Sequence, residues 1–244
     1  MSYRLCGLIP CYNNHLTVRD VAERLRNQIG EVIIVDDGSN EATREVLAEL
    51  RDDGFRVLAR PENGGKGAAL KDGFQLAWDE GFTHALQVDA DGQHDLSRAS
   101  DFAARSRQRP EALLLGYPRF DETAPLARRL GRKITRFWTH IETIGPKIVD
   151  PMCGFRVYPL EPSLAANVHG DHMEFDIEIA VKMLRMGVPV ENHEVHVEYL
   201  DEEEGGISHF RMFTDNVHIS WAHTRLVISL IPWLLGRLRR RQLT

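Results

Sequence analysis

Short apolar, β-branched runs alternate with segments of helical periodicity through the first half of this chain, and that alternation constrains the fold more than any other feature. Leu5 to Ile9, Glu31 to Val35, Phe55 to Ala59, Ala85 to Val88 and Ala112 to Leu115 read as strands. Helical patterns fall between them at about Leu16 to Gln28, Glu41 to Asp53, Gly67 to Glu80 and Ser97 to Arg107. Strands separated by helices imply right-handed crossovers and a parallel sheet covered on both faces. In such sheets ligands sit beyond the carboxyl ends of the strands, where loops and helix N-termini converge. Four polar segments occupy those ends: Pro10 to Asn13, Asp36 to Ser39, Asn63 to Gly67 and Asp89 to Asp95.

Composition narrows the class. With 244 residues, 43% hydrophobic and 27% charged, the chain fills one α/β domain with an appendage. A net charge of -6 argues against a general nucleic-acid binder. Cys6, Cys11 and Cys153 form no CxxC pair, so neither a disulfide framework nor a zinc site is expected, and a reducing cytosol fits. Met1 to Leu8 lacks the pattern of a signal peptide and reads as strand.

The second half differs. Leu126, Leu130, Ile134, Phe137 and Ile141 recur at helical spacing, with Arg128, Arg129, Arg132, Lys133 and Arg136 supplying cations and no acid between them. A basic amphipathic helix follows from that pattern. Further on come a Gly154 to Tyr158 turn and strand, a helix near Phe175 to Met186, a strand near Val188 to Glu198, and an acidic loop from Asp201 to Gly206. Leu226 to Gly236 is uncharged but shorter than the ~20 residues that span a bilayer, and Pro232 interrupts it. Trp221, Trp233 and the terminal arginines suit a helix lying on an anionic membrane surface; packing in a core or a homo-oligomer is the alternative.

Asp89 and Asp91 flank Ala90 at a strand end, where alternate residues project the same way. Two adjacent carboxylates repel unless a cation separates them, and Mg²⁺ or Mn²⁺ takes one or two carboxylates and completes its shell with phosphate and water. An acidic turn capping the next helix is the plainer explanation. Gln93 and His94 add an oxygen and a nitrogen nearby. Asp36 and Asp37 can accept from a base or ribose, or simply cap a helix. Asn63-Gly64-Gly65-Lys66-Gly67 has the composition of a phosphate loop without Walker spacing, and serves equally as a tight turn. Glu174, Asp176 and Glu178 crowd the start of a helix, where its dipole favours acids.

Together, Pro10-Cys11-Tyr12-Asn13, Val35-Asp36-Asp37-Gly38-Ser39, Asn63-Gly64-Gly65-Lys66-Gly67, Asp89-Ala90-Asp91-Gly92-Gln93-His94 and Asp150-Pro151-Met152-Cys153-Gly154-Phe155-Arg156 resemble the family 2 glycosyltransferases of the GT-A fold. The polyprenyl-phosphate (dolichol-phosphate) mannosyl- or glucosyltransferase branch is the most similar. The resemblance implies a Rossmann-like, mostly parallel sheet, with a glycosyltransferase domain over residues 1–211 and an amphipathic membrane-associating segment over 212–244. Within the domain, 1–117 is the nucleotide-sugar half and 118–211 the acceptor half.

By that resemblance, Pro10, Tyr12, Asn13, Asp36 and Asp37 hold the nucleoside, with Asp37 on the base. Asp89, Asp91 and Gln93 hold the metal; Ala90, Lys66 and Arg119 lie with them against the diphosphate. Arg132, Arg136, Arg156, Ser208, His209 and Arg211 are the candidates for the acceptor and its phosphate, and Asp150, Glu174 and Asp176 the candidate bases beside the catalytic Asp91. The implied activity is metal-dependent, inverting transfer of a hexose from a GDP- or UDP-sugar to a lipid-linked acceptor at the cytoplasmic face of a membrane. One departure stands out: where the branch carries an Arg and a Gly-x-Ser-Lys loop, this chain has Asp201-Glu202-Glu203-Glu204-Gly205-Gly206-Ile207-Ser208-His209. A hydroxyl acceptor is therefore the alternative within the class, and a sugar nucleotidyltransferase or a non-catalytic nucleotide-binding module the alternatives outside it.

Overall fold

The computed structural model describes residues 2–118, 126–197 and 212–241. Its centre is a seven-stranded sheet in the order β3-β2-β1-β4-β6-β5-β7. The strands are β1 (Leu5–Cys11), β2 (Val32–Asp36), β3 (Arg56–Ala59), β4 (His84–Gln87), β5 (Leu113–Pro118), β6 (Arg156–Pro159) and β7 (Val190–Val195). The helices are α1 (Val18–Ile29), α2 (Glu41–Asp52), α3 (Lys66–Asp79), α4 (Ala99–Gln108), α5 (Leu126–Glu142), α6 (Leu160–Ala165), α7 (Phe175–Met186), α8 (Met212–Ile228) and α9 (Leu230–Arg241).

Side-chain alternation in the strands builds two cores. In β1, Cys6 and Leu8 face one layer while Ile9 and Cys11 face the other; Ile33 and Val35 of β2 part from Val32 and Ile34 in the same way. The first layer is filled from α3, α6, α7 and α8, with Phe74, Leu160, Ile177 and Leu226, and the second from α1, α2 and α4, with Leu25, Leu50 and Phe102. All five residues of β2 are buried, as the continuous apolar run of a doubly covered parallel strand requires.

The mostly parallel sheet expected from the sequence is present, with one exception. β6 enters antiparallel between β4 and β5, pairing Leu86 with Val157 and Leu114 with Val157. Its four buried residues carry no mark of strand direction, so alternation alone placed a strand there without its orientation. Beyond β6, β5 and β7 pair in parallel from Leu113↔Val190 to Pro118↔Val195.

Local chemistry sets several ends. The Asn40 side chain accepts from Thr43 N at 3.1 Å and starts α2, and Gly187, at φ +97°, closes α7 in the left-handed region. The C-terminal segment, expected to form amphipathic helices interrupted near Pro232, is two helices broken at Ser229, with Pro232 in the first turn of α9 where its missing N–H costs little. Among the described residues, no helix is long and apolar enough to cross a membrane.

Candidate active site

The carboxyl ends of β1 and β2 meet in register, Cys11 opposite Asp36, and the loops beyond them are stitched together. Asn13, at φ +57°, donates its N–H to Ser39 Oγ at 3.0 Å and accepts from Asn40 N at 2.7 Å. Asp36 accepts from Ser39 N at 2.9 Å. Pro10 and Tyr12 are half-buried at the same rim. Asp37, expected on the base, lies against the glycine turn. Its Oδ1 accepts from Gly64 N at 3.0 Å and from Arg60, and its Oδ2 from Gly65 N at 2.8 Å. Both oxygens help shape the Gly64-Gly65 turn, and the side chain is 3% exposed.

That turn delivers Lys66 to the acidic pair. Lys66 Nζ lies 2.7 Å from Asp89 Oδ1 and 2.9 Å from Asp176 Oδ2 at the start of α7. Gly67 allows the approach of α7, since a Cβ there would fall 2.6 Å from Phe175 Cβ. Gly154 allows Asp89 its place, since a Cβ on it would overlap the Asp89 carboxylate. His94 Nε2 stands 3.5 Å from Asp89 Oδ2, and Asp91 Oδ1 accepts the Gln93 N–H at 3.1 Å. Ala90 is buried, its carbonyl accepting from Thr17 Oγ1 at 2.6 Å.

The two carboxylates differ in electrostatic state. Burial opposes ionisation of Asp89, yet Lys66 and then His94 outweigh it and hold the group well below the ordinary carboxylate range. Burial and then the neighbouring Asp89 charge raise Asp91 instead. Burial lowers the Lys66 ammonium, but Asp176 and Asp89 together bring it above its ordinary value. His94 and Lys66 also act on Asp91, but they do not offset its burial and the Asp89 charge. Among the described residues no cluster of three His, Cys, Asp or Glu is arranged to hold a metal, and the carboxylates those residues offer here are the Asp89 and Asp91 pair. Mg²⁺ and Mn²⁺, which take one or two carboxylates and fill the remaining positions with phosphate oxygens and water, fit that donor set.

Several other expected residues are engaged elsewhere. Arg156, expected near the acceptor phosphate, is fully buried and donates to Cys153 O at 2.6 Å, Asp176 O at 2.6 Å and Pro151 O at 2.7 Å. It ties β6, the 150–155 turn and α7 together and does not reach solvent. Asp150, a candidate base, accepts from Met152 N at 2.8 Å and Cys153 N at 3.0 Å and pairs with Arg132. Asp176 is taken by Lys66, and Glu174, 5% exposed, accepts from Asp171 N at 3.1 Å. Glu178 is held by Lys182 at 2.8 Å and Arg225 at 3.0 Å. Arg136 is exposed on α5. Arg119, Ser208, His209, Arg211 and the Asp201 to Gly206 run lie outside the described residues.

Sequence reasoning missed how α8 joins the site. His218 of α8 stacks on His172 with ring centroids 4.7 Å apart, and His172 in turn abuts Gly65. Farther along α8, His223 Nδ1 meets Glu142 Oε1 of α5 at 2.7 Å in a buried contact. The outer faces of α5, α8 and α9 leave apolar side chains open among polar ones: Leu130, Phe137, Phe213, Trp221, Ile228 and Ile231 are each more than half exposed. Trp233, expected at a headgroup level, is half-buried, donating to Arg185 O at 3.0 Å with the Arg185 guanidinium 5.5 Å from its ring.

Known proteins resemble this chain in sequence and in fold. The chain is 26% identical over 211 residues to a dolichyl-phosphate β-glucosyltransferase of Dictyostelium discoideum, covering 76% of this chain and 64% of that protein. It is 25% identical over 219 residues to an undecaprenyl-phosphate mannosyltransferase of Micrococcus luteus, covering 83% of this chain and 86% of the relative. A Mycobacterium tuberculosis glucosyl-3-phosphoglycerate synthase, solved with Mn²⁺, uridine diphosphate glucose and glycerol 3-phosphate, has the same fold at a TM-score of 0.64 and 17% identity, over 94% of this chain and 79% of that one. A Pyrobaculum calidifontis mannosyltransferase in complex with GDP-mannose and Mn²⁺ aligns at a TM-score of 0.57 and 12% identity, over 98% and 76%. The description "Glycosyl transferase family 2" matches residues 7–162, and the chain, with its α/β sheet and the acidic pair after β4, belongs to that family.

Proposed function

We propose that this chain transfers a hexose, with inversion, from a GDP- or UDP-sugar to a lipid-linked phosphate acceptor, and that it uses Mg²⁺ or Mn²⁺ to do so. The observation that carries the reading is the Asp89 and Asp91 pair at the carboxyl end of β4, beside the Gly64-Gly65-Lys66 turn and next to helices whose outer faces leave apolar side chains open. Asp89 and Asp91 would hold the cation, which when bound supplies neutralisation of the charge developing on the departing nucleoside diphosphate. Lys66 adds a second positive group within reach of the same diphosphate. Pro10, Tyr12 and Asn13 border the nucleoside.

The state of the candidate bases favours an acceptor that is already an anion. Asp150 and Asp176 are ion-paired, and Glu174 is covered and bound to backbone N–H groups. A phosphate oxygen attacks without losing a proton, whereas a hydroxyl needs a free carboxylate to take one. Relatives named for dolichyl and undecaprenyl phosphate support the same acceptor class. The exposed apolar residues of α5, α8 and α9, with Arg136 beside them, would rest on the cytoplasmic leaflet and bring the site to such a lipid.

Incubation with radiolabelled UDP-glucose or GDP-mannose, Mn²⁺ and a polyprenyl phosphate in vesicles tests the reading. Label entering the lipid fraction with the anomer opposite to the donor supports it. Label entering only a hydroxyl acceptor, or no transfer from any nucleotide sugar, overturns it.

A further inference from the structure

The acidic pair already has a cation of its own. Lys66 bridges Asp89 at 2.7 Å and Asp176 at 2.9 Å, and its side chain is 13% exposed. Asp176, 3% exposed, is anchored from behind: its backbone carbonyl accepts from Arg156, whose guanidinium lies 3.8 Å from the Asp176 carboxylate. Asp176 cannot follow Lys66 outward. Asp89 is more open, at 26% exposure, and is the partner that Lys66 can release.

We infer that Lys66 is a resident counter-ion: in the metal-free chain its ammonium holds the cationic position beside Asp89, so that a divalent cation competes with it for that carboxylate and wins readily only when a nucleoside diphosphate arrives to receive the lysine. The inference rests on the metal-dependent reading above and goes beyond it, because it makes Lys66 a negative determinant of metal binding before it becomes a positive determinant of nucleotide binding. The physical reason is like-charge repulsion at close range in a partly dehydrated site. A cation on Asp89 faces the Lys66 charge unless new negative charge is brought in, and a diphosphate supplies it. Lys66 is here a positioning residue whose two sets of partners couple the two ligands. It joins the sequence of the turn, which aims it, to α7, which retains it.

The competition is read without turnover. Mn²⁺ binding is titrated by electron paramagnetic resonance with no nucleotide, then with UDP and with GDP, in the native chain, Lys66→Met and Asp176→Asn. The native chain should bind Mn²⁺ at least ~10-fold more tightly with the nucleotide it accepts, a coupling in the ordinary range for two ligands. Lys66→Met should bind Mn²⁺ without nucleotide on the order of 10-fold more tightly than the native chain, and lose most of the gain from nucleotide. Asp176→Asn, which leaves Lys66 to Asp89 alone, should bind Mn²⁺ several-fold more weakly, and it carries the test if Lys66→Met does not fold. A purely structural tie between the turn and α7 predicts lower melting temperatures in both variants with unchanged Mn²⁺ affinity; that result, with nucleotide-dependent Mn²⁺ binding intact in the native chain, overturns this inference alone. Absence of Mn²⁺ binding in every chain, even with UDP or GDP, overturns the metal-dependent reading and this inference with it.

Discussion

The carboxylates of Asp89 and Asp91 stand two positions apart in the sequence and are shifted in opposite directions from the ordinary carboxylate range, the first lowered by Lys66 and His94 against its burial, the second raised by burial and by the first. An environment that pushes two neighbouring acids apart in this way costs folding free energy and is characteristic of functional sites. The fold meets that cost with the two buried layers on either side of the sheet.

Replacing Asp91 by Asn should therefore separate activity from stability. A carboxyl group raised on folding stabilises the fold only below its unfolded pKa and loses that contribution as pH rises through the folded value, so at neutral pH ionised Asp91 is a burden. Asp91→Asn should abolish transfer and Mn²⁺-dependent donor binding while holding or raising the melting temperature in metal-free buffer, by about 2–4 °C for each kcal/mol recovered. Calorimetry beside a donor-binding assay checks both halves.

Arg156 gives the contrasting case. Its donors are spent on three backbone carbonyls and the side chain is fully buried. Arg156→Met should cost about 3 kcal/mol or more, because those carbonyls are left buried without partners. Denaturant unfolding measures it. A variant of native stability that has lost only affinity for the acceptor would restore the phosphate-binding role that burial argues against.

Acid should loosen α8 from α7. Burial opposes ionisation of Glu178, but Lys182, the His169 N–H and Arg225 lower it below its ordinary value. The stability it contributes is present above the unfolded carboxylate range and is lost as pH falls through the depressed folded value. Glu178→Gln should mimic that loss at neutral pH, costing about 2 kcal/mol and about 4–8 °C in melting temperature. Stability curves of the two chains should converge at low pH, which urea titrations at stepped pH would show.

Membrane contact is testable on the open faces. Phe137 is 60% exposed and Trp221 57%, so changing both to Glu removes little packing. The double variant should keep its melting temperature within about 1–2 °C, since exposed substitutions change stability by roughly 0.5 kcal/mol or less. It should also lose sedimentation with anionic vesicles. Undiminished binding would assign those faces to another use, such as contact with a second copy of the chain.

Much of the architecture was legible from the chain alone. Strand positions followed from runs such as Val32 to Val35, and the helix over Leu126 to Glu142 from its apolar spacing and its cations. The rim followed too, because in a parallel sheet the polar residues after each strand must gather at one end. Direction and partnership did not follow. β6 carries the same buried apolar pattern in either orientation, and Trp233 looks the same on paper whether it faces lipid or Arg185.

Sequence by itself determined the periods along the chain and hence the elements, the two-sided core and the end of the sheet where chemistry gathers; these depend on neighbours a few residues away. Tertiary structure alone decided which charges meet. Lys66 and Asp176 are 110 positions apart, yet the sheet order sets them 2.9 Å from each other, turns Arg156 inward beneath them and brings His218 of α8 against His172. Local propensity records how a segment folds, whereas the pairing of distant side chains is set by which layers pack together, and that is a property of the whole buried core.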